Sequence, residues 1–127
     1  MNTPSYALLH ARGVRLKELI KLVSKWGHDR NIIQGSTAIK QLDKTSEEFN
    51  ELQRAVAIYQ RQEKYSDEWY EAQREVKDGL GDILVTLILA AEILEVDLET
   101  ALGAAYDEIK DRKGRLVGGK FIKEADL

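Results

Sequence analysis

Between Ile83 and Leu94 nearly every residue is apolar. In a helix such a run is hydrophobic on all faces, so it has to be buried on all faces. The residues Val76, Leu80, Ile83, Leu84, Leu87, Ile88 and Ala91 recur at helical spacing behind Ser66, a good N-cap, and predict a helix reaching about Glu95. A chain of 127 residues has few other elements with which to surround it. A homodimer or homotetramer with this helix at the subunit interface is therefore expected.

The remaining pattern is also helical. Leu42, Phe49, Leu52, Val56 and Tyr59 step by seven, three, four and three, which no strand can produce, and predict a long amphipathic helix from a cap at Ser36. Pro4 after Thr3 suits a helix start, and Leu8, Val14, Leu19, Leu22, Val23 and Trp26 carry that helix to about Gly27. His28 to Gly35 reads as a loop. Asp97 caps a fourth helix over Leu98 to about Lys113, stopped at Gly114, and the glycine-rich basic tail from Arg115 is expected to be only partly ordered. Four helices and no strand give an all-α, four-helix bundle-like subunit, with residues 1–127 as one domain.

Composition narrows the function classes. With 43% hydrophobic and 32% charged residues the chain fits one soluble domain. A net charge of −3, from 19 basic and 22 acidic residues, lacks the field of a general nucleic-acid binder. Without cysteine there is no disulfide, thiolate metal site or cysteine nucleophile. The apolar run at Tyr6 to Leu9 is too short for a signal sequence, and Ile83 to Ala91 falls short of the roughly 20 residues that span a bilayer. The expectation is a cytoplasmic protein with no membrane anchor. His10 and His28 make no Glu-x-x-His pair of the di-iron kind, and no G-x-x-x-x-G-K loop is present.

The chemistry concentrates in two acidic clusters. Glu47, Glu48 and Glu51 fall within about one turn of the second predicted helix, where like charges repel unless cations neutralise them. Glu75, Asp78 and Asp82 are spaced three and four on the next helix, and Asp82 leads into the apolar run. A charged carboxylate at the edge of a core must be paired, hydrogen-bonded or metal-bound, so Asp82 points to Mg²⁺ or to a salt bridge. Gly79 and Gly81 sit inside that helix, where each costs about 1 kcal/mol relative to alanine, a cost that close approach of a helix or ligand would offset.

These residues resemble the MazG-like all-α nucleoside triphosphate pyrophosphohydrolases, whose signature is E-E-x-x-E on one helix and E-x-x-D on the next. Glu47, Glu48, Phe49, Asn50 and Glu51 match the first half, Leu80, Gly81, Asp82, Ile83 and Leu84 look like the family's L-G-D-hydrophobic stretch, and Gln41 and Lys44 precede the glutamates similarly. The resemblance spans roughly Trp26 to Lys113. Gly79 stands where the signature expects glutamate, so either Asp78 replaces it beside Asp82, or Glu75 and Asp78 form the literal E-x-x-D.

The resemblance implies Mg²⁺-dependent cleavage of a nucleoside or deoxynucleoside triphosphate to monophosphate and pyrophosphate, with Mn²⁺ as a substitute ion. It implies Glu48, Glu51, Asp78 and Asp82 as metal ligands, and Glu47 as the group that orients or deprotonates water. Glu47 and Glu48 could exchange roles. Lys44 and Gln41, Lys110 and Lys113 near the end of the fourth helix, and Trp26 and Arg30 before the loop are the candidate substrate contacts. Two rivals remain: a phosphoribosyl-ATP pyrophosphohydrolase, which shares the superfamily's helices and metal carboxylates, and a non-catalytic helical dimerisation module whose acidic face is solvated.

Overall fold

The structure, a computed structural model, describes residues 4–127. They form helices α1 (Tyr6–Ala11), α2 (Leu16–Asp29), α3 (Ile32–Gly35), α4 (Ala38–Arg61), α5 (Asp67–Ile93) and α6 (Leu98–Ile109), and strands β1 (Gly114–Val117) and β2 (Lys120–Lys123). A 3-10 turn, Glu124–Asp126, closes the chain. The fold is all-α apart from that small sheet. The chain divides into two compact units, one ending at Val96 and the other Asp97–Leu127.

The first unit is built on the antiparallel pair α4 and α5, with α2 and α3 packed against α5. Local chemistry starts each long helix. Thr37 accepts the amide of Lys40 and Ser66 that of Trp69, each at 3.1 Å, satisfying donors with no partner inside the helix. Thr37, one residue beyond the expected Ser36, is thus the cap of α4, while Ser36 accepts a hydrogen bond from the Gln41 side chain.

The single first helix expected from the sequence is divided. Gly13 adopts φ +78°, which turns the chain between α1 and α2. Ser5 caps α1; the expected cap Thr3 lies outside the described residues. The expected loop at His28–Gly35 is largely helical, with α2 continuing to Asp29 and a left-handed Asn31 (φ +60°) separating it from α3. The Gln34 amide donates to His28 Nδ1 (3.1 Å), leaving Nε2–H to donate to Glu92 (2.9 Å), so His28 ties α2 to α3 and to α5.

Burial is concentrated where α2 and α3 meet α5. Gly27, Ile88, Leu89, Ala90 and Ala91 are buried, and Leu89 is only 3% exposed. The amino-terminal half of the apolar run is different: Leu80, Leu84 and Leu87, with Leu42 and Phe49 of α4, are exposed, from 36% at Leu87 to 53% at Leu84. One chain does not surround its own apolar helix.

In the second unit Asp97 caps α6, accepting the Glu99 amide and the Thr100 hydroxyl. The helix ends at Ile109, four residues before the expected end. The tail expected to be only partly ordered forms a hairpin in which Leu116 pairs with Phe121 and Arg115 with Ile122. Gly118 and Gly119, at φ +58° and +79°, make the two-residue turn that matches strand twist.

Two glycines separate packing from propensity. A Cβ on Gly27 would lie 2.5 Å from Leu89 Cδ2, whereas one on Gly81 meets nothing within 4 Å. Gly27→Ala should lower stability by about 1–3 kcal/mol through overpacking. Gly81→Ala should raise it, by up to about 1 kcal/mol of helix propensity. Chemical denaturation of both variants checks this; equal effects would remove the packing account of Gly27.

Candidate acidic site on the α4–α5 pair

Two contacts fix how α4 lies along α5. Thr45 Oγ1 and Thr86 Oγ1 are 2.7 Å apart, and Leu52 packs on Gly79, where an added Cβ would come within 3.1 Å of its side chain. Thr45 to Leu52 and Thr86 to Gly79 are equal steps of seven residues in opposite directions. Glu48 is therefore level with Asp82 and Ile83, and Glu51 with Leu80. The Thr45 and Thr86 hydroxyls also reach the carbonyls of Gln41 (2.9 Å) and Ile83 (2.8 Å), so neither is left without a partner. The close approach of Leu52 also accounts for Gly79: glutamate there would point into α4.

Angular position follows from the same contacts. At 100° per residue Glu51 lies about 60° round α4 from Glu48, and Asp82 about 60° round α5 from Gly79. Because the helices are antiparallel, both rotations lead to the same flank of the pair. Glu47, Glu75 and Asp78 fall on that flank as well. Leu42, Phe49, Leu80, Leu84 and Leu87 fall on the opposite one. A cleft of about 290 Å³ opens on the acidic flank, lined by Glu51, Arg54, Ala55, Ile58, Ala72 and Glu75. It joins the two acidic clusters through Glu51 and Glu75.

The three glutamates of α4 have unequal settings. Glu48, with its side chain 12% exposed, lies in the stripe facing α5, while the Glu47 side chain is 66% exposed. Lys44 bridges them, 3.3 Å from Glu48 and 3.6 Å from Glu47. The hydrogen bond and charge of Glu48, then the charge of Glu47, raise the Lys44 pKa above its usual 10.5. Lys44 is therefore charged in this pair at neutral pH, and on the alkaline side the pair is lost as pH rises through that raised value.

One expectation is overturned: Asp82 is exposed, as are Asp78 and Glu75. The buried stretch of α5, Thr86 to Ala91 with Leu87 excepted, begins one turn later; Ala72 is buried one turn before Glu75, and Asp82 lies to the side of the face that meets α4. Desolvation therefore does not oblige Asp82 to bind a metal. Among the described residues no three acidic or histidine side chains are gathered closely enough to hold an ion.

The candidate substrate residues are dispersed. Gln41 is engaged with Ser36 (2.9 Å). Trp26 is 44% exposed near the carboxyl end of α2, and Arg30 is that helix's exposed C-cap. Lys110 and Lys113 belong to the second unit, where Lys110 pairs with Asp107 at 3.4 Å. Arg54 was not among the sequence candidates, although its position three residues after Glu51 was a readable signal.

No protein-family model and no solved structure matches the chain. It is similar to an uncharacterized 18.2 kDa protein in the rep-hol intergenic region of Haemophilus phage HP1 (strain HP1c1), with 33% identity over 82 residues. The match takes in 65% of this chain and 43% of the phage protein, so the chain spans less than half the length of that relative. No helix among the described residues is long and apolar enough to cross a membrane.

Proposed function

We propose that the chain is a Mg²⁺-dependent hydrolase that converts a nucleoside or deoxynucleoside triphosphate to the monophosphate and pyrophosphate. The supporting observation is the shared flank: the α4–α5 register brings Glu48 and Glu51 level with Asp78 and Asp82. Such a pairing of clusters across two helices is not needed for a merely solvated acidic surface.

The donors fit the ion in kind, because carboxylate oxygens are the hard ligands that Mg²⁺ prefers and Mn²⁺ accepts. Glu48, Glu51, Asp78 and Asp82 would hold it. Glu75 is the alternative, since it shares a cleft with Glu51. Gathering them requires rotation of exposed side chains and release of Glu48 from Lys44. When bound, Mg²⁺ would neutralise the triphosphate and polarise its phosphoryl oxygens.

The chain's own residues supply the remaining roles in this reading. Glu47, the more exposed glutamate, orients water and takes its proton as the bond between the α- and β-phosphates opens. Lys44, once freed from Glu48, can turn its ammonium to a phosphate. Trp26 offers an open ring face for the base, beside Arg30. Purified protein with Mg²⁺ or Mn²⁺ should release pyrophosphate from at least one member of a panel of NTPs, dNTPs and phosphoribosyl-ATP. Glu47→Gln should lower kcat by about 10²–10⁴-fold, and Asp82→Asn should raise the metal concentration required. No release from any panel member, with metal binding unchanged by Asp82→Asn, would leave the non-catalytic module as the better reading.

The opposite flank supports a homo-oligomer. Leu42, Phe49, Leu80, Leu84 and Leu87 form an exposed apolar face along the pair, and a second copy presenting the same face would bury it isologously. Sedimentation should give at least twice the 14.4 kDa of one chain, and Leu84→Glu should shift it toward that mass. A wild-type chain that sediments as a monomer at all concentrations contradicts the oligomer.

A further inference from the structure

The cleft beside the acidic flank contains a cation that the metal reading does not use. Arg54 lies with Glu51 and Glu75 in the cleft lining but makes no ion pair or hydrogen bond with another described residue. The other lining residues are Ala55, Ile58 and Ala72. A guanidinium fork matches a phosphate bidentately, and apolar walls strengthen such a contact by lowering the local dielectric. Two carboxylates in the same space repel a bare anion, so a fitting ligand is an anion that carries a divalent cation with it.

Position along the helix pair narrows that ligand further. Arg54 is six residues past Glu48 toward the α4–α5 turn, about 9 Å along the axis. The Trp26 end of α2 lies the other way, because its neighbour Gly27 packs on Leu89, seven residues past Asp82 on α5. Along the axis Glu48 and Asp82 therefore stand between the half-exposed Trp26 at one end and, at the other, Arg54, which has no partner among the described residues. A triphosphate laid along this flank with its base toward Trp26 would extend its γ-phosphate, the last of the chain, toward Arg54.

We propose that this cleft is the subsite for the pyrophosphate part of the substrate, with Arg54 holding the terminal phosphate. The proposal rests on the pyrophosphohydrolase reading and adds to it a reason for selecting triphosphates over diphosphates, whose chain ends short of Arg54. The test is calorimetric titration of the full-length chain with inorganic pyrophosphate in saturating Mg²⁺, alongside Arg54→Gln and Arg54→Lys, with thermal melts to confirm that both fold.

Arg54→Gln should weaken pyrophosphate binding by at least tenfold, Arg54→Lys should restore part of the loss, and nucleoside monophosphate binding should be the same in all three. Equal pyrophosphate affinities in the three proteins, or no pyrophosphate binding by the wild type, overturn the subsite. Hydrolysis is read separately. Turnover that pyrophosphate inhibits equally in the wild type and the Arg54 variants discards the subsite alone, whereas Arg54-dependent pyrophosphate binding without turnover keeps the subsite and discards the hydrolase.

Discussion

The register between α4 and α5 is the constraint on which the first unit, and the acidic site in it, depends. A hydroxyl pair, Thr45 with Thr86, and a close approach of Leu52 to Gly79 fix it at two heights. A slip of one residue would rotate neighbours on α5 by about 100° and take the carboxylates out of line. The hydroxyl contact is polar and specific, and the glycine contact tolerates no larger side chain without displacing Leu52. Together they put acid on one flank and leucine on the other. The two flanks thereby differ in chemistry, one lined by carboxylates and the other by exposed apolar side chains.

Lys44 adds an electrostatic consequence. Three glutamates within five positions of a helix repel one another, and the ammonium of Lys44 relieves that repulsion for Glu47 and Glu48. A divalent ion taken up by Glu48 must compete with Lys44. Displacement would release a cation beside the phosphate chain, where it favours the anion. In the proposed hydrolase, ion uptake and substrate contact would thus be coupled through one side chain, by an i, i+4 spacing already present in the sequence.

What was legible in the sequence is what local chemistry decides. The long helices follow from apolar spacing, and the Ser66 and Asp97 caps from side-chain oxygens placed before it. The break at Gly13 and the left-handed Asn31 were missed because helical periodicity continues across a single turned residue. The hairpin was missed although its Gly118-Gly119 turn between Leu116-Val117 and Phe121-Ile122 is a hairpin signal; glycine content was read as lack of order. The exposure of Asp82 was not legible, because it depends on where α2 and α3 begin to cover α5, which is a matter of tertiary packing. Arg54 gained meaning only once Ala72 and Glu75 of another helix were placed beside it.

The account's central claim is that the acidic clusters of α4 and α5 act as one cation site. Paramagnetic broadening of amide NMR signals by substoichiometric Mn²⁺ tests it most directly, because broadening falls steeply with distance from the ion. The account predicts that the amides of residues 47–51 and 78–82 broaden together, ahead of the rest of the chain, and that Mg²⁺ restores them. Broadening spread equally over exposed carboxylates such as Asp67, Glu68 and Glu99, or confined to only one of the two clusters, would contradict it.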